Sequence, residues 1–127
     1  MNIGVNMKMG KEKIMTNEFT DKTKSLFIWL NRCILCGEMT EELGNHHIVG
    51  RTGKYNSSPL NLARVCSKCH DELHGLGGGE KTIMIARLLI RTFIYLNDSG
   101  YLLSEDDEEF YNKNENFYKM FINIPSL

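Results

Sequence analysis

The feature that most constrains this chain is the placement of its cysteines and histidines. All four cysteines and all four histidines lie between Cys33 and His74, and the rest of the chain contains neither residue type. The cysteines form two Cys-x-x-Cys pairs: Cys33 with Cys36, and Cys66 with Cys69. Two such pairs can complete one tetrahedral zinc site, which leaves the histidines for a second site. Two candidate metal sites in one short segment indicate a chemical function.

Length and cysteine usage limit the class of protein. The 127 residues suit one domain with a modest core. Exported proteins join such cysteines as disulfides, but residues 1–15 contain three lysines and no continuous apolar stretch, unlike an export signal. We therefore expect a reducing compartment, the cytoplasm, and thiolates bound to metal.

Neither hydropathy nor charge adds a strong signal. The longest apolar run, residues 83–96, is interrupted by arginines and is shorter than the about 20 residues needed to cross a bilayer, so no membrane partner is predicted. The formal net charge is −1 and is only weakly polarised along the chain. Such a balance does not by itself indicate a nucleic-acid partner.

Apolar patterning predicts two strands around the histidine pair. Residues 43–49 and 60–65 are predicted strands. The polar loop between them, residues 50–59, is longer than a simple hairpin turn requires, as is common for functional loops.

A short helix is predicted directly after the second cysteine pair. Ser67 and Gly75 are typical cap residues and bound it. His70 and His74 are four positions apart on this helix, so both imidazoles are expected on one face. The order is therefore strand, loop, strand, helix.

The flanks are less specific. Residues 1–18 are polar and are predicted to form a flexible arm. Amphipathic helices are predicted at residues 19–32 and 80–97, so the domain is expected to span residues 19–97. The acidic and aromatic segment 98–127 has no readable function.

This combination resembles the HNH endonucleases of the ββα-metal fold. The residues that carry the resemblance are, in chain order, His46-His47-Ile48-Val49, Asn61-Leu62-Ala63-Arg64-Val65-Cys66, Cys69-His70 and His74-Gly75. The resemblance implies an α+β fold in which a small ββα-metal core is stapled by a four-cysteine zinc site, with flanking helices at both ends. His47, Asn61 and His70 would be the residues that give the family its name.

The resemblance also implies roles for individual residues. The second histidine of the pair, His47, is typically the general base, and a neutral imidazole can accept a proton from water at physiological pH. His46, His70 and His74 are arranged like the three-histidine metal site of the colicin DNases. Asn61 is uncharged, so we expect it to fix the strand carrying His47 by hydrogen bonding across the loop, with metal contact as the alternative.

Donor chemistry constrains the ions. Four thiolates favour zinc for the structural site, while three imidazoles favour zinc, nickel, cobalt or manganese over magnesium in the second. Relatives with fewer histidine ligands often use magnesium, and many carry Asp at the position of His46, so magnesium stays open.

Several arginines and a lysine are candidates for phosphate contact. Arg51 is expected to bind a substrate phosphate, with Lys54 and Arg64 as weaker candidates. Arg87 and Arg91 share a helix face and are interpreted as a solvated stripe.

We therefore predict a metal-dependent HNH endonuclease that hydrolyses DNA phosphodiester bonds, in a phage or prophage setting. The alternatives are a zinc-stapled DNA-binding or interaction module without activity, and a nuclease subunit that works only in a phage packaging or restriction assembly. A plain zinc ribbon is disfavoured because the Cys36 to Cys66 spacing is too long, and a redox role because two pairs indicate metal. A monomer would nick one strand, whereas a homodimer would cut both.

Overall fold

A computed structural model describes residues 19–50 and 57–120. The predicted arm, the candidate cations Arg51 and Lys54, and residues 121–127 lie outside these ranges. The elements in chain order are α1 (Asp21–Ser25), β1 (Leu43–His47), a 3-10 turn (Pro59–Asn61), β2 (Leu62–Cys66), α2 (Ser67–Gly75), α3 (Gly78–Asp98), α4 (Glu105–Lys113) and α5 (Glu115–Lys119). The predicted α+β class is confirmed: a β-hairpin is followed by helices, with the four cysteines clustered.

The two strands form an antiparallel hairpin in which Leu43 lies opposite Cys66 and His47 lies opposite Leu62. β2 is buried at all positions but one, whereas β1 is half-buried or exposed throughout. β2 therefore lies within the core on both faces, whereas β1, which carries the histidine pair, is the more exposed strand of the hairpin.

Both strands differ from the prediction at the end near the loop. β1 stops at His47, because the backbone N–H groups of Ile48 and Val49 donate to the backbone and side-chain oxygens of Asn61, at 2.9 and 2.8 Å. β2 starts at Leu62, because the preceding residues form the 3-10 turn. Ser58 caps that turn by accepting from the N–H of Leu60 at 3.1 Å.

The first predicted helix is much shorter than expected. α1 begins after Thr20, whose hydroxyl accepts from the N–H of Thr23 at 3.1 Å, and it ends at Ser25. The carbonyls of Phe27 and Leu30 accept hydrogen bonds from Nη1 of Arg64, at 2.9 and 3.3 Å. After Ser25 the backbone continues in turns with i to i+3 hydrogen bonds, such as that from the N–H of Leu30 to the carbonyl of Phe27 at 3.0 Å, and Arg64 connects these turns to β2.

Helix α3 is the longest element and packs on the hairpin. It begins at Gly78, two residues earlier than predicted, so only Leu76 and Gly77 separate it from α2. Thr92 is fully buried, and its hydroxyl donates to the carbonyl of Leu62 at 3.0 Å. Among the described helices, none is long and apolar enough to cross a membrane.

The C-terminal helices join the same core through Asp107. Its side chain accepts hydrogen bonds from the hydroxyls of Ser58, at 2.6 Å, and Tyr101, and from the N–H of Ser104 at 2.9 Å. Burial alone would raise the pKa of this carboxyl, but the hydrogen bonds outweigh burial and lower the pKa. α4 is thereby anchored to the 3-10 turn.

Replacing Asp107 by Asn is expected to lower the free energy of unfolding by about 2 kcal/mol at neutral pH, because an amide cannot replace a charged acceptor of three hydrogen bonds. Since folding lowers the pKa of Asp107, its contribution is present above the ordinary carboxyl pKa of about 3.9 and is lost as the pH falls through the folded value. Urea unfolding across the acid range should show the gap between wild type and variant closing. Asp106→Asn, at the exposed neighbour, is the control, and equal losses from both would contradict the assignment.

Candidate metal centres

The four cysteine sulfurs converge on one point. Their Sγ atoms lie within 4.8 Å of one another, and those of Cys36 and Cys66 are 3.9 Å apart. A tetrahedral zinc ion about 2.3 Å from each sulfur would set the sulfurs about 3.8 Å apart, whereas a disulfide requires about 2.05 Å. The four thiols are free of disulfides. This spacing fits a single zinc ion.

The first cysteine pair sits in a tight turn. Gly37 has a φ of +80°, which glycine adopts without strain, and its N–H donates to the carbonyl of Cys33 at 2.8 Å. The N–H of Cys36 points at the sulfur of Cys33, 3.4 Å away. The turn is joined to β2 by the N–H of Ile34, which donates to the carbonyl of Arg64 at 2.9 Å.

The second pair sits where β2 becomes α2. Cys66 is the last residue of the strand and the N-cap of the helix, and Cys69 follows in its first turn. The sharp change from strand to helix thus places both sulfurs toward the first pair.

Protonation of the cluster also fits a bound cation. Burial alone would raise the pKa of the Cys33 thiol, but backbone N–H groups of Cys36, Cys66 and Leu35 outweigh it and lower the pKa to about 7. Burial raises the pKa of Cys69, and the neighbouring sulfurs raise it further. Ionising the Cys69 thiol is therefore unfavourable without a cation beside it, and a bound zinc ion would supply that positive charge.

Three histidines form a second cluster. Their ligand atoms lie within 4.8 Å of one another, and the residues are His46, His70 and His74. The Nε2 atoms of His70 and His74 are 3.2 Å apart. An ion about 2.1 Å from tetrahedral nitrogens would set them about 3.4 Å apart, so these two nitrogens fit a shared ion.

The secondary structure explains the convergence of the triad. His70 and His74 are one turn apart on α2, with ring centroids 4.4 Å apart, and His46 meets them edge-on from β1, at 5.2 and 6.0 Å. Burial lowers the pKa of His46 to about 4, and the other histidines and Lys81 contribute. His46 is therefore neutral at physiological pH, which is the form that binds metal.

The triad borders an open cavity of about 440 Å³ that is also lined by His47, Asn45 and Gly50. His47 is half-buried, and its ring stacks on Phe19 with centroids 4.0 Å apart and an interplanar angle of 11°. The sequence did not identify Phe19 as a site residue. It was visible only as the first apolar position of the helix predicted at residues 19–32, and its contact with His47 is long-range.

Asn61 is fully buried and bridges the two ends of the loop. Its Oδ1 accepts from the N–H of Val49 at 2.8 Å, and its Nδ2 donates to the carbonyl of Gly50 at 3.1 Å. These bonds hold the backbone that follows His47.

The arginines depart from the sequence interpretation. Arg64, a weak candidate for phosphate contact, donates to the backbone after α1. Arg87 and Arg91 are half-buried and do not form a solvated stripe. Arg91 donates to carbonyls in the first cysteine turn. Arg51 lies outside the described residues.

Comparisons of this chain with known protein families, with curated proteins and with solved structures found no match. The arrangement itself is a four-cysteine cluster and a histidine triad on a two-stranded hairpin followed by a helix. That arrangement is consistent with a ββα-metal module.

Cys66→Ser is expected to lower bound zinc by about one equivalent and to lower thermal stability, because one of the four sulfur ligands is lost where two elements join. Metal analysis of the protein purified with zinc, together with thermal unfolding with and without a chelator, checks both. Ser67→Ala, at the exposed neighbouring position, is the control and should behave as wild type. A Cys66→Ser protein with undiminished zinc would contradict the site.

Proposed function

We propose that this protein is a metal-dependent endonuclease that hydrolyses DNA phosphodiester bonds, with a structural zinc in the four-cysteine cluster. The observation that carries the proposal is the convergence of three imidazoles in an open cavity that a fourth histidine, His47, also lines. A purely structural zinc module has no need of that second donor set.

The histidine triad would hold the working ion through His46, His70 and His74. A divalent ion there offsets negative charge on the phosphate and stabilises the leaving oxygen. Three imidazoles suit zinc, nickel and manganese, and magnesium is kept as a candidate because of the HNH resemblance. The cavity leaves the triad open on one side, as a catalytic site requires.

His47 is assigned as the general base. Its Nε2 is buried, so we assign proton transfer to Nδ1. In the proposed reaction a water oxygen attacks phosphorus while its proton passes to His47, and the bond from phosphorus to the leaving oxygen breaks. The stacked ring of Phe19 limits rotation of the imidazole and so holds the base in one orientation.

Asn61 is assigned a positioning role. Its two hydrogen bonds fix the backbone at Val49 and Gly50, two and three residues after His47. A base must lie within hydrogen-bonding distance of the proton it removes, so a mobile loop here would reduce the rate. Arg51 follows Gly50 in the sequence and is retained as the proposed phosphate contact.

The decisive experiment is nicking of supercoiled plasmid with magnesium, manganese, nickel, zinc or a chelator. Wild type is expected to nick only with metal, and His47→Ala is expected to lose about 100-fold or more in rate because the proton acceptor is removed. Asn45 lines the same cavity but has no acid-base group, so Asn45→Ala is the matched control.

Circular dichroism and zinc content should first show that all three proteins are folded. If the wild-type protein binds DNA but cleaves it with none of the metals, the nuclease proposal is contradicted. The protein would then be a zinc-stapled binding module, or a subunit that needs a packaging or restriction partner. A His47→Ala protein as active as wild type would remove His47 as the base. The ratio of nicked to linear product distinguishes a monomer from a homodimer.

Phe19→Leu is expected to lower the turnover rate by about threefold to tenfold while leaving DNA affinity unchanged, because the leucine fills similar space but cannot stack on the imidazole. Phe19→Tyr keeps the flat ring and should retain most of the activity. Single-turnover nicking and a separate DNA-binding titration measure the two quantities. Equal activity of the Leu and Tyr variants would show that stacking on His47 has no part in the reaction.

A further inference from the structure

Arg91 packs from α3 onto the turn that carries Cys33 and Cys36. Its Nη1 donates to the carbonyl of Ile34 at 3.2 Å and also to the carbonyl of Leu35. Ile34 and Leu35 are the two residues between the paired cysteines. The guanidinium is thus fixed against the backbone of the first half of the sulfur cluster.

A zinc ion bound by four thiolates carries a net charge of −2, because four negative sulfurs surround a divalent cation. Three of the sulfurs here belong to buried residues, namely Cys33, Cys66 and Cys69. A buried charge is costly unless an opposite charge or hydrogen-bond donors lie close by. Backbone N–H groups near Cys33 supply part of this compensation.

Arg91 is placed to supply another part as a full positive charge. It is half-buried, so water screens its field less than that of a surface cation. A guanidinium also stays protonated under all ordinary conditions. Burial lowers the pKa of Arg91 from its ordinary high value and the neighbouring Arg87 lowers it further, while Cys33 acts in the opposite direction by favouring the charged form.

We propose that Arg91 is the counter-ion of the four-cysteine zinc centre and that its charge sets how tightly zinc is held. The inference rests on the zinc occupancy proposed above but not on nuclease activity. It assigns a function to the C-terminal half of α3, which lies outside the segment that carries the cysteines and histidines. In this proposal the positive charge of Arg91 on α3 interacts with the zinc centre and not with a nucleic acid.

The chain contains its own matched control in Arg32. Nη1 of Arg32 also donates to a carbonyl of the same turn, that of Gly37, at 3.2 Å. Arg32 is exposed, however, and solvent and salt screen its charge. Both arginines therefore donate a guanidinium hydrogen bond to the turn, but Arg91 is half-buried and Arg32 is exposed.

The test is the zinc affinity of Arg91→Gln, Arg91→Lys and Arg32→Gln, measured by competition with a chromogenic chelator. The charge-transfer absorption of the cobalt-substituted protein reports the four-sulfur site directly. Arg91→Gln keeps hydrogen-bond donors but loses the charge, and we expect its affinity to fall about tenfold or more. Arg91→Lys keeps the charge and should stay within about threefold of wild type, and Arg32→Gln within about twofold.

Two results would overturn the proposal. One is an Arg91→Gln protein with the zinc affinity of wild type. The other is an equal loss in the Gln and Lys variants, which would assign the effect to hydrogen-bond geometry and not to charge. If the wild-type protein binds no zinc, the proposed four-cysteine zinc site itself is contradicted. The comparison of zinc affinities among the arginine variants does not depend on whether the protein is an active nuclease.

Folding is assessed by circular dichroism at saturating zinc, because metal binding and folding are coupled in small metal-stapled domains. If Arg91→Gln does not fold at any zinc concentration, Arg91→Lys decides the question. An affinity within about threefold of wild type supports the charge, and a loss of more than about tenfold contradicts it.

Discussion

The convergence of four sulfurs at one point is the constraint on which the other features depend. Cys66 is at once the end of β2 and the cap of α2, so an ion at this point fixes the angle between strand and helix. That angle brings His70 and His74 opposite His46 on the neighbouring strand. A small domain buries limited apolar surface, and a metal staple supplies rigidity that packing alone would not.

The two donor sets divide the chemistry. The sulfurs lie mostly in buried positions and suit an ion that is held permanently, whereas the imidazoles border an open cavity that a substrate can enter. A series of hydrogen bonds connects the cavity to the C-terminal helices. It runs from Asp107 to Ser58, through the 3-10 turn to Asn61, and on to Val49 beside the histidine pair. Helix α4 is therefore connected to the backbone at Val49, two residues after His47.

The sequence predicted what depends on local spacing. The four-residue interval between His70 and His74 placed both rings on one face of a helix, and the structure shows them there. It did not predict what depends on contacts between distant segments. The helix expected at residues 19–32 gives way after Ser25 to turns with i to i+3 hydrogen bonds, which Arg64 on β2 joins by donating to two of their carbonyls. No periodicity in that segment signals such a long-range bond. α4 was missed although Ser104 begins a capping signal that could have found it.

We propose that the chain binds two ions through chemically different donors. Zinc X-ray absorption of the full chain, loaded first with one equivalent and then with two, distinguishes the two sites. With one equivalent we expect four sulfur neighbours at about 2.3 Å, and the second equivalent should add nitrogen or oxygen neighbours at about 2.0 Å. The proposed function requires a sulfur site and a separate histidine site. Mixed sulfur and nitrogen neighbours around the first ion would contradict this, and so would a second equivalent that adds no nitrogen neighbours.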